Sequence, residues 1–245
     1  MSVADTVGAV GTDSIQHFYG LCERASEPGL WQEPLNTFSN LLFLYVAYKI
    51  YAYYHKHPDV QGQRIWDIHI MTFLVAIIGI ASTVFHMYPT LDTEMLDVAA
   101  IVLFINIFFF SVLFRIGKCN FFQALICYVA FIGFTHMVVS MFPRGLNDSI
   151  GYLSTMGSLV MIAIYLHLKA RPSSQYFLVA ALIGVCSLFF RSVDNAVCGQ
   201  FPMGSHFLWH SLNAMLIYIV LKQIIRNVNR EQRLKRLGLI QNDDN

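Results

Sequence analysis

The sequence predicts an all-α fold, a polytopic membrane protein built as a bundle of seven transmembrane helices. Its 245 residues are 56% hydrophobic and only 13% charged, whereas a soluble domain carries about 25% charged residues. The apolar residues fall in runs of about 20, the length at which a helix crosses the hydrocarbon layer. A chain that spans the bilayer satisfies its backbone either as helices or as a closed barrel. Runs of this length exclude the barrel.

Seven apolar segments define the predicted helices, and short connections between them make successive helices antiparallel neighbours. The segments lie at about Pro34–Tyr54, Trp66–Met87, Leu91–Phe114, Phe121–Phe142, Ile150–Leu168, Gln175–Phe190 and Ser205–Ile225. Pro34 suits the first turn of a helix, where its missing N–H leaves no hydrogen bond unmade. The sixth segment is the shortest, and the chain shows no internal repeat.

Lysine and arginine are unevenly divided between the two sides of the predicted bundle. Loops one, three and five and the C-terminal tail hold twelve, whereas the N-terminus and loops two, four and six hold three. Cytosolic segments carry the excess of positive charge, so we predict the N-terminus outside and the C-terminus in the cytosol. The predicted parts are an extracytoplasmic segment at 1–33, a seven-helix transmembrane domain at 34–226 and a cytosolic basic and polar tail at 227–245. The outer side is either a periplasm or an organelle lumen.

Three histidines stand near helix ends on the predicted outer side. His86 ends the second helix, and His206 and His210 open the seventh, where their four-residue spacing puts two imidazoles on one helix face. One helix can offer two ligands to a single metal ion in this way. Burying several imidazoles without a partner is costly, so we predict a three-histidine metal site near the extracytoplasmic face. The remaining histidines have no partner at this spacing and are interpreted as interface or loop residues: His17, His55, His57, His69, His136 and His167.

Two further polar residues fall at the same predicted depth. Ser82 lies one turn before His86, and Asp97 lies early in the third helix, which enters the membrane where the second leaves it. Three imidazoles with an open fourth position are typical of catalytic zinc, which lowers the pKa of a bound water to about 7. Asp97 would then act as general base and later protonate the leaving amine. Ser82 would orient the water or stabilise the oxyanion.

Polar residues before and within the first helix lie on the same side as this site. Asn36, Ser39 and Asn40 either cap that helix or support the metal ligands through hydrogen bonds. Cys22 and Cys198 both fall on the outer face, where an oxidising compartment permits disulfides. We therefore predict a Cys22–Cys198 bridge that ties the N-terminal segment over the start of the seventh helix.

Taken together, these motifs resemble the alkaline ceramidases, seven-helix zinc-dependent membrane hydrolases related to the adiponectin receptors. The resemblance is carried by Ser82-x3-His86, Asp97, His206-x3-His210, Cys22-Glu23, Glu33-x2-Asn36-Thr-x-Ser39-Asn40 and Arg191-x2-Asp194-x3-Cys198. It implies a hydrolase that cleaves the amide of ceramide to a sphingoid base and a fatty acid. It also implies that the three histidines hold zinc, with Asp97 and Ser82 about the bound water, and that 34–226 is the hydrolase domain.

The resemblance also bears on calcium, for which the match is incomplete. Glu23, Glu33 and Asn36 are candidates either for a weak calcium site or for support of the zinc ligands. Three positions depart from the calcium-binding pattern of the family: Gly20, Leu21 and Ala25. We therefore expect zinc as the cofactor and carry over no regulation by calcium.

The leading hypothesis is a membrane-embedded zinc amidase acting on ceramide or a related lipid amide. The alternative is a seven-helix, lipid-responsive, receptor-like protein with a related zinc site and little or no turnover, against which Asp97 argues. A transporter would need polar residues throughout the membrane, whereas here they gather at one face. The expected partners are the bilayer and a ceramide-like lipid. The net charge of +1 gives no indication of nucleic acid binding, and no obligate protein partner is predicted.

Overall fold

The computed structural model describes residues 21–24, 31–57, 65–143 and 145–239, and all regular structure in them is helical. The helices are α1 (Pro34–Ser39), α2 (Leu41–His55), α3 (Trp66–Met87), α4 (Leu91–Arg115), α5 (Phe121–Met141), α6 (Tyr152–Leu168), α7 (Ser174–Val197) and α8 (His206–Arg236). The predicted all-α membrane fold is confirmed. His17, Gly20, Ala25, most of the segment at 1–33 and the end of the tail at 240–245 lie outside the described residues.

Five of these helices are long and apolar enough to cross a membrane: α3, α4, α5, α7 and α8. Helix α6 is apolar but has only 17 residues, and the first predicted segment is divided between α1 and α2. The structure therefore establishes a membrane bundle, while seven crossings stay a prediction for these two segments.

The division between α1 and α2 was not predicted and has a local cause at Asn40. The carbonyl of Asn36 accepts hydrogen bonds from the side chains of Ser39, at 2.7 Å, and Asn40, at 3.0 Å. The backbone N–H of Asn40 turns instead to the carbonyl of Thr37, at 3.3 Å. Side chains that compete for a backbone carbonyl in this way interrupt the regular ladder of a helix. The break leaves the Asn36 carbonyl available to a residue of another helix.

The start of α4 is set by a reciprocal cap. The Thr90 hydroxyl accepts from the backbone N–H of Thr93, at 3.3 Å, and the Thr93 hydroxyl accepts from the N–H of Thr90, at 2.9 Å. This capping box satisfies two donors that a helix N-terminus otherwise leaves without partners. Because the first turn is anchored here, Asp97 falls in the second turn, close to the end of α3.

One predicted boundary was wrong because charged residues did not end the helix. Helix α7 extends to Val197 instead of Phe190, since Arg191 and Asp194 both find partners within the protein. Helix α8 continues beyond the predicted apolar segment, which ends at Ile225, to Arg236, and this polar extension is the one expected for the basic stretch from Lys222 to Arg236. Arg191 and Asp194 therefore lie in a helix and not in a loop.

Helix α8 is central in the bundle, whereas α5 is peripheral. In the most apolar window of each helix, 56% of the residues of α8 are buried in the protein but only 6% of those of α5. Helix α8 packs against α7, α2 and α1, and its Leu221, Ile224 and Ile225 are fully buried. The histidine-bearing helix is thus held on several sides, while α5 presents most of its apolar surface outwards.

Candidate metal centre

Three imidazole rings meet where α3 ends and α8 begins. His86, His206 and His210 are at most 3% exposed. One potential ligand nitrogen from each lies within 4.8 Å of the others, and the group could hold a metal ion. Nε2 of His86 lies 3.2 Å from Nε2 of His210. The four-residue spacing in α8 therefore aims both of its histidines at the end of α3.

The hydrogen bonds of His210 indicate which ring nitrogen carries the proton. The Ser39 hydroxyl donates to the Asn36 carbonyl, so it accepts from Nδ1 of His210, at 2.8 Å. The Asn36 carbonyl, itself an acceptor, is 3.2 Å from the same nitrogen. Nδ1 of His210 must then be the donor, and a neutral imidazole protonated there keeps its lone pair on Nε2.

His86 is oriented in the same way by a buried carboxylate. Its Nδ1 lies 2.5 Å from Oε2 of Glu33, a residue with no exposed surface. Burial by itself would raise the pKa of Glu33, but the hydrogen bond from His86 and the charge of Arg24 lower it below its ordinary value. The ionised carboxylate accepts from Nδ1 of His86 and leaves the lone pair on Nε2.

Glu33 collects donors from two further residues. The Nε group of Arg24 and Nδ2 of Asn36, the latter at 2.8 Å, both donate to its carboxylate. The Arg24 guanidinium also lies over the ring of Phe85, 5.4 Å from its centre. A buried carboxylate needs such partners to offset the loss of its hydration. Arg24, which the sequence interpretation gave no role, therefore completes the surroundings of His86.

Glu23 holds the start of α1 from outside the helix. Its two carboxylate oxygens accept from the backbone N–H groups of Leu35, at 2.5 Å, and Asn36, at 2.8 Å. Burial raises the pKa of Glu23, and these two hydrogen bonds oppose the shift. Glu23, Glu33 and Asn36 thus all have contacts that support α1 or His86, and the choice between this role and a calcium site stays a prediction.

Asp194 fixes the start of α8 and with it the position of His206. Its Oδ1 accepts from the backbone N–H groups of Ser205, at 2.6 Å, and His206, at 2.9 Å, and its Oδ2 accepts from the N–H of Cys22, at 3.0 Å. A carboxylate at a helix N-terminus satisfies free N–H groups and interacts favourably with the helix dipole. Cys22 and Cys198 lie beside it, with Cα atoms 5.1 Å apart and sulfur atoms at bonding distance.

Ser82 and Asp97 lie on the cavity side of the histidines. The Ser82 hydroxyl lies near the Asp97 carboxylate, and Oδ1 of Asp97 is buried without a hydrogen-bond partner in the described part of the chain. Both residues line the same cavity as His206 and His210. Asp97 and Ser82 therefore lie beside these two histidines in the cavity wall, and their roles stay predictions.

The cavity next to the histidines has a volume of about 200 Å³ and is lined by residues of two kinds. Polar groups surround the histidine end, whereas apolar side chains line the part that runs along α4 and α8. Phe108 and Val220 belong to this apolar part. Phe108 lies eleven residues beyond Asp97 in α4, and Val220 lies ten residues beyond His210 in α8. Both distances are about 15 Å along the helix.

The three histidines fit a metal ion by the chemistry of their donors. With both Nδ1 atoms engaged as donors, the lone pairs of His86 and His210 face each other across 3.2 Å, an arrangement that a cation between them would stabilise. Nδ1 of His206 is also buried without a hydrogen-bond partner among the described residues. Three imidazoles with no thiolate are one of the ligand sets found in catalytic zinc sites.

The family model described as Ceramidase matches residues 30–241. The chain belongs to the Ceramidase family. No curated protein and no solved structure matches it.

Family membership confirms the resemblance drawn from the motifs. It supports an amide hydrolase that acts on ceramide and has a lipid as its substrate. As a ceramidase family member with several membrane-length helices, the chain is a membrane enzyme. The family match identifies neither the metal nor the role of each residue.

Proposed function

We propose that this member of the Ceramidase family is an integral-membrane amidase that uses zinc to hydrolyse ceramide, or a related lipid amide, to a sphingoid base and a fatty acid. The observation that carries the proposal is the facing pair of imidazole nitrogens on His86 and His210, beside His206, at the polar end of an apolar cavity. The family supports the reaction class, and the three-imidazole donor set supports zinc.

The shape of the cavity suits a substrate with a polar amide and a long hydrocarbon chain. The amide would lie at the histidine end, where Asp97 and Ser82 are within the lining. The acyl chain would extend between α4 and α8 against apolar residues such as Phe108 and Val220. Ligand sites that are mostly apolar with a few convergent polar groups position a substrate in this way.

Hydrolysis adds water across the amide, and the residues beside the histidines supply the proton transfers. A carbon–oxygen bond forms, the carbon–nitrogen bond breaks, and the nitrogen leaves with one added proton. Asp97 takes the proton from water and returns it to the nitrogen, a role for which its unpartnered Oδ1 is free. Ser82, which lies near Asp97, helps to keep the carboxylate in place and offers a hydroxyl near the developing oxyanion.

The residues that would hold the metal are His86, His206 and His210. When bound there, zinc supplies Lewis acidity, which makes water a stronger nucleophile at neutral pH and polarises the amide carbonyl. Glu33 and Ser39 keep the imidazoles of His86 and His210 in the tautomer that leaves Nε2 free.

The test compares Asp97→Asn with Asp92→Asn on a labelled ceramide. Both changes remove one carboxylate from α4, but Asp92 is exposed in the first turn and outside the cavity. We expect Asp97→Asn to lower turnover by about 10²–10⁴-fold, the usual contribution of a general acid or base. Zinc content, measured by plasma mass spectrometry, should match the wild type in both variants. Full activity of Asp97→Asn would exclude its proposed role.

The same experiment separates the amidase from the receptor-like alternative. A receptor with a related site would bind zinc but release no fatty acid from ceramides of any acyl length. One equivalent of zinc without turnover over such a panel would therefore favour the receptor, whereas turnover that a chelator abolishes and zinc restores supports the amidase.

We also propose that the site lies near the extracytoplasmic face, with the N-terminus outside and the C-terminus in the cytosol. The distribution of lysine and arginine supports this orientation, as does the approach of Cys22 to Cys198, since disulfides persist in oxidising compartments. Peptide mapping without reduction should recover Cys22 and Cys198 in one linked fragment. In intact cells or sealed vesicles, a C-terminal tag should be digested only from the cytosolic side.

A further inference from the structure

A second cavity lies at the end of the bundle opposite to the histidines. It has a volume of about 490 Å³, within the range of roughly 300–1,000 Å³ that ligand pockets occupy. The C-terminal ends of α4 and α6, the connection that follows α6 and the extension of α8 form its walls. Asn227, in one wall, lies 17 residues beyond His210 in α8, or about 25 Å along the helix.

The lining of this basic cavity is rich in positive charge. Its described members include four cations and one carboxylate, namely Arg115, Lys118, Lys169, Arg171 and Glu231. Two of the cations are already paired within the protein. Arg115 bonds to Asp67 of α3, and Lys118 lies 2.7 Å from both carboxylate oxygens of Glu231.

Lys169 and Arg171 carry the remaining charge. Both are exposed, and neither forms an ion pair with another described residue. The cavity therefore keeps an excess of two positive charges after its internal pairs are formed. Such a pocket between transmembrane helices attracts an anionic headgroup.

An amide donor at this cavity also lacks a partner. Nδ2 of Asn227 is buried and has no hydrogen bond within the described residues, although buried donors in folded proteins are almost always satisfied. Asn227 lines the cavity, so an oxygen atom bound there could accept this hydrogen bond. A phosphate offers that acceptor together with the negative charge that Lys169 and Arg171 would neutralise.

Apolar side chains complete the cavity. Leu166 is buried, and Ile116, Leu234 and the ring of Tyr165 line the wall with it. Charge on one side and hydrocarbon on the other suit the junction between the headgroup and the acyl chains of a phospholipid. The position at the end of the apolar helices places the cavity at the depth where such headgroups lie.

We propose that the basic cavity is a binding site for a phosphate-bearing anion, contacted by Lys169, Arg171 and Asn227. The phosphate of an anionic phospholipid and free inorganic phosphate share this chemistry. The site is separate from the histidine centre and requires neither zinc nor hydrolysis.

Native mass spectrometry of the purified full chain, titrated with phosphatidylglycerol, tests the proposal. Diacylglycerol, which has acyl chains but no phosphate, is the control ligand. We expect one saturable phosphatidylglycerol adduct per chain and no comparable adduct with diacylglycerol. In a second arm, inorganic phosphate replaces the lipid and binding is followed by calorimetry.

Matched variants decide whether the cavity is responsible. The double change Lys169→Gln with Arg171→Gln should weaken binding at least ten-fold, and Asn227→Leu should weaken it several-fold. The control pair Arg230→Gln with Arg233→Gln removes the same charge from the extension of α8 outside the cavity, and should stay within two-fold of the wild type. Zinc content and ceramide hydrolysis in detergent should be unchanged in all three variants.

The outcomes separate the sources of the anion. Variant-sensitive binding of phosphatidylglycerol alone identifies a lipid headgroup, and variant-sensitive binding of inorganic phosphate alone identifies a free anion. Both results support the site. Equal binding by the wild type and the Lys169/Arg171 double variant overturns the proposal. An equal loss in the Arg230/Arg233 pair also overturns it, because the attraction would then belong to the basic helix as a whole.

Discussion

The two ends of the bundle both collect polar side chains, but they satisfy them differently. At the histidine end, His86 and Glu33 are fully buried and bond to each other, and Glu33 also accepts from Arg24. At the opposite end, the side chains of Lys118 and Glu231 form an ion pair while 54% and 28% exposed. A buried polar network is costly to leave incomplete, whereas water readily replaces an exposed pair. Similar residue types should therefore respond very differently to substitution at the two ends.

Loss of a histidine at the histidine end of the bundle should have the largest effect. We expect His210→Ala to lower zinc affinity more than about 100-fold, since even an indirect partner of a metal ligand costs about 10–100-fold. Ceramide hydrolysis should fall with it to background. Zinc is measured by plasma mass spectrometry after equilibration with graded chelator.

The matched control is His167→Ala, near the other end of the bundle, where the imidazole is exposed and apart from the histidine cluster. Its zinc affinity should equal that of the wild type. A chain that keeps both zinc and activity after His210→Ala would show that the three histidines are not the metal site.

Glu33→Gln should have the next largest effect, because it leaves the Arg24 guanidinium without a counter-charge in a buried position. Zinc affinity should fall about 10–100-fold through the loss of support for His86. Breaking a buried ion pair also destabilises a protein by about 3–5 kcal/mol, so the thermal midpoint in detergent should fall clearly.

Glu231→Gln, at the end of the bundle opposite to the histidines, removes the same charge from an exposed ion pair. It should leave the zinc affinity and the thermal midpoint near their wild-type values. If the two glutamate variants behaved alike, the contrast between the ends of the bundle would be lost.

Asp194 offers a graded test of how α8 is anchored. Asp194→Ala removes an acceptor from three backbone N–H groups and should lower stability by about 1–2 kcal/mol, as the loss of a helix cap does. Asp194→Asn keeps one carbonyl oxygen and should lie between alanine and the wild type. Thermal unfolding and zinc retention should follow the same order, and zinc retention unaffected by either change would argue against a positioning role for Asp194.

The smallest effect is expected for Lys118→Ala. An exposed ion pair contributes at most about 1 kcal/mol, so the thermal midpoint should move by no more than about 4 °C. Zinc content and ceramide hydrolysis should not change. A fall in the thermal midpoint as large as that of Glu33→Gln would show that this end of the bundle contributes as much to stability as the histidine end.

Several site residues were predictable because their spacing carries the information. His206 and His210 share a face of one helix, and Ser82 and His86 share a face of another. The depth of Asp97 followed from the short connection between α3 and α4. These arguments need only the helical repeat and the order of the helices, so they could be made before the structure was known.

Arg24, Asp194 and the break at Asn40 could not be predicted in the same way. Arg24 comes from a segment outside the helices, and its partner Glu33 is fixed by the folding of that segment against α3. The cap that Asp194 forms joins residues of α7 to the start of α8 and to Cys22. The charges of Arg191 and Asp194 led to the prediction that both lie in a loop. Hydropathy cannot show that a charged side chain within a helix will find a partner in the folded protein.

Hydropathy and residue spacing account for the class of the protein, because the bilayer demands long apolar helices and the helical repeat aligns the histidines. Tertiary contacts decide the chemistry of those histidines. Glu33 orients His86, while Ser39 and the Asn36 carbonyl, exposed by the break at Asn40, orient His210. A partner on one ring nitrogen fixes the tautomer and directs the lone pair of the other nitrogen towards a metal. Those partners come from a separate segment that only the fold brings to the histidines.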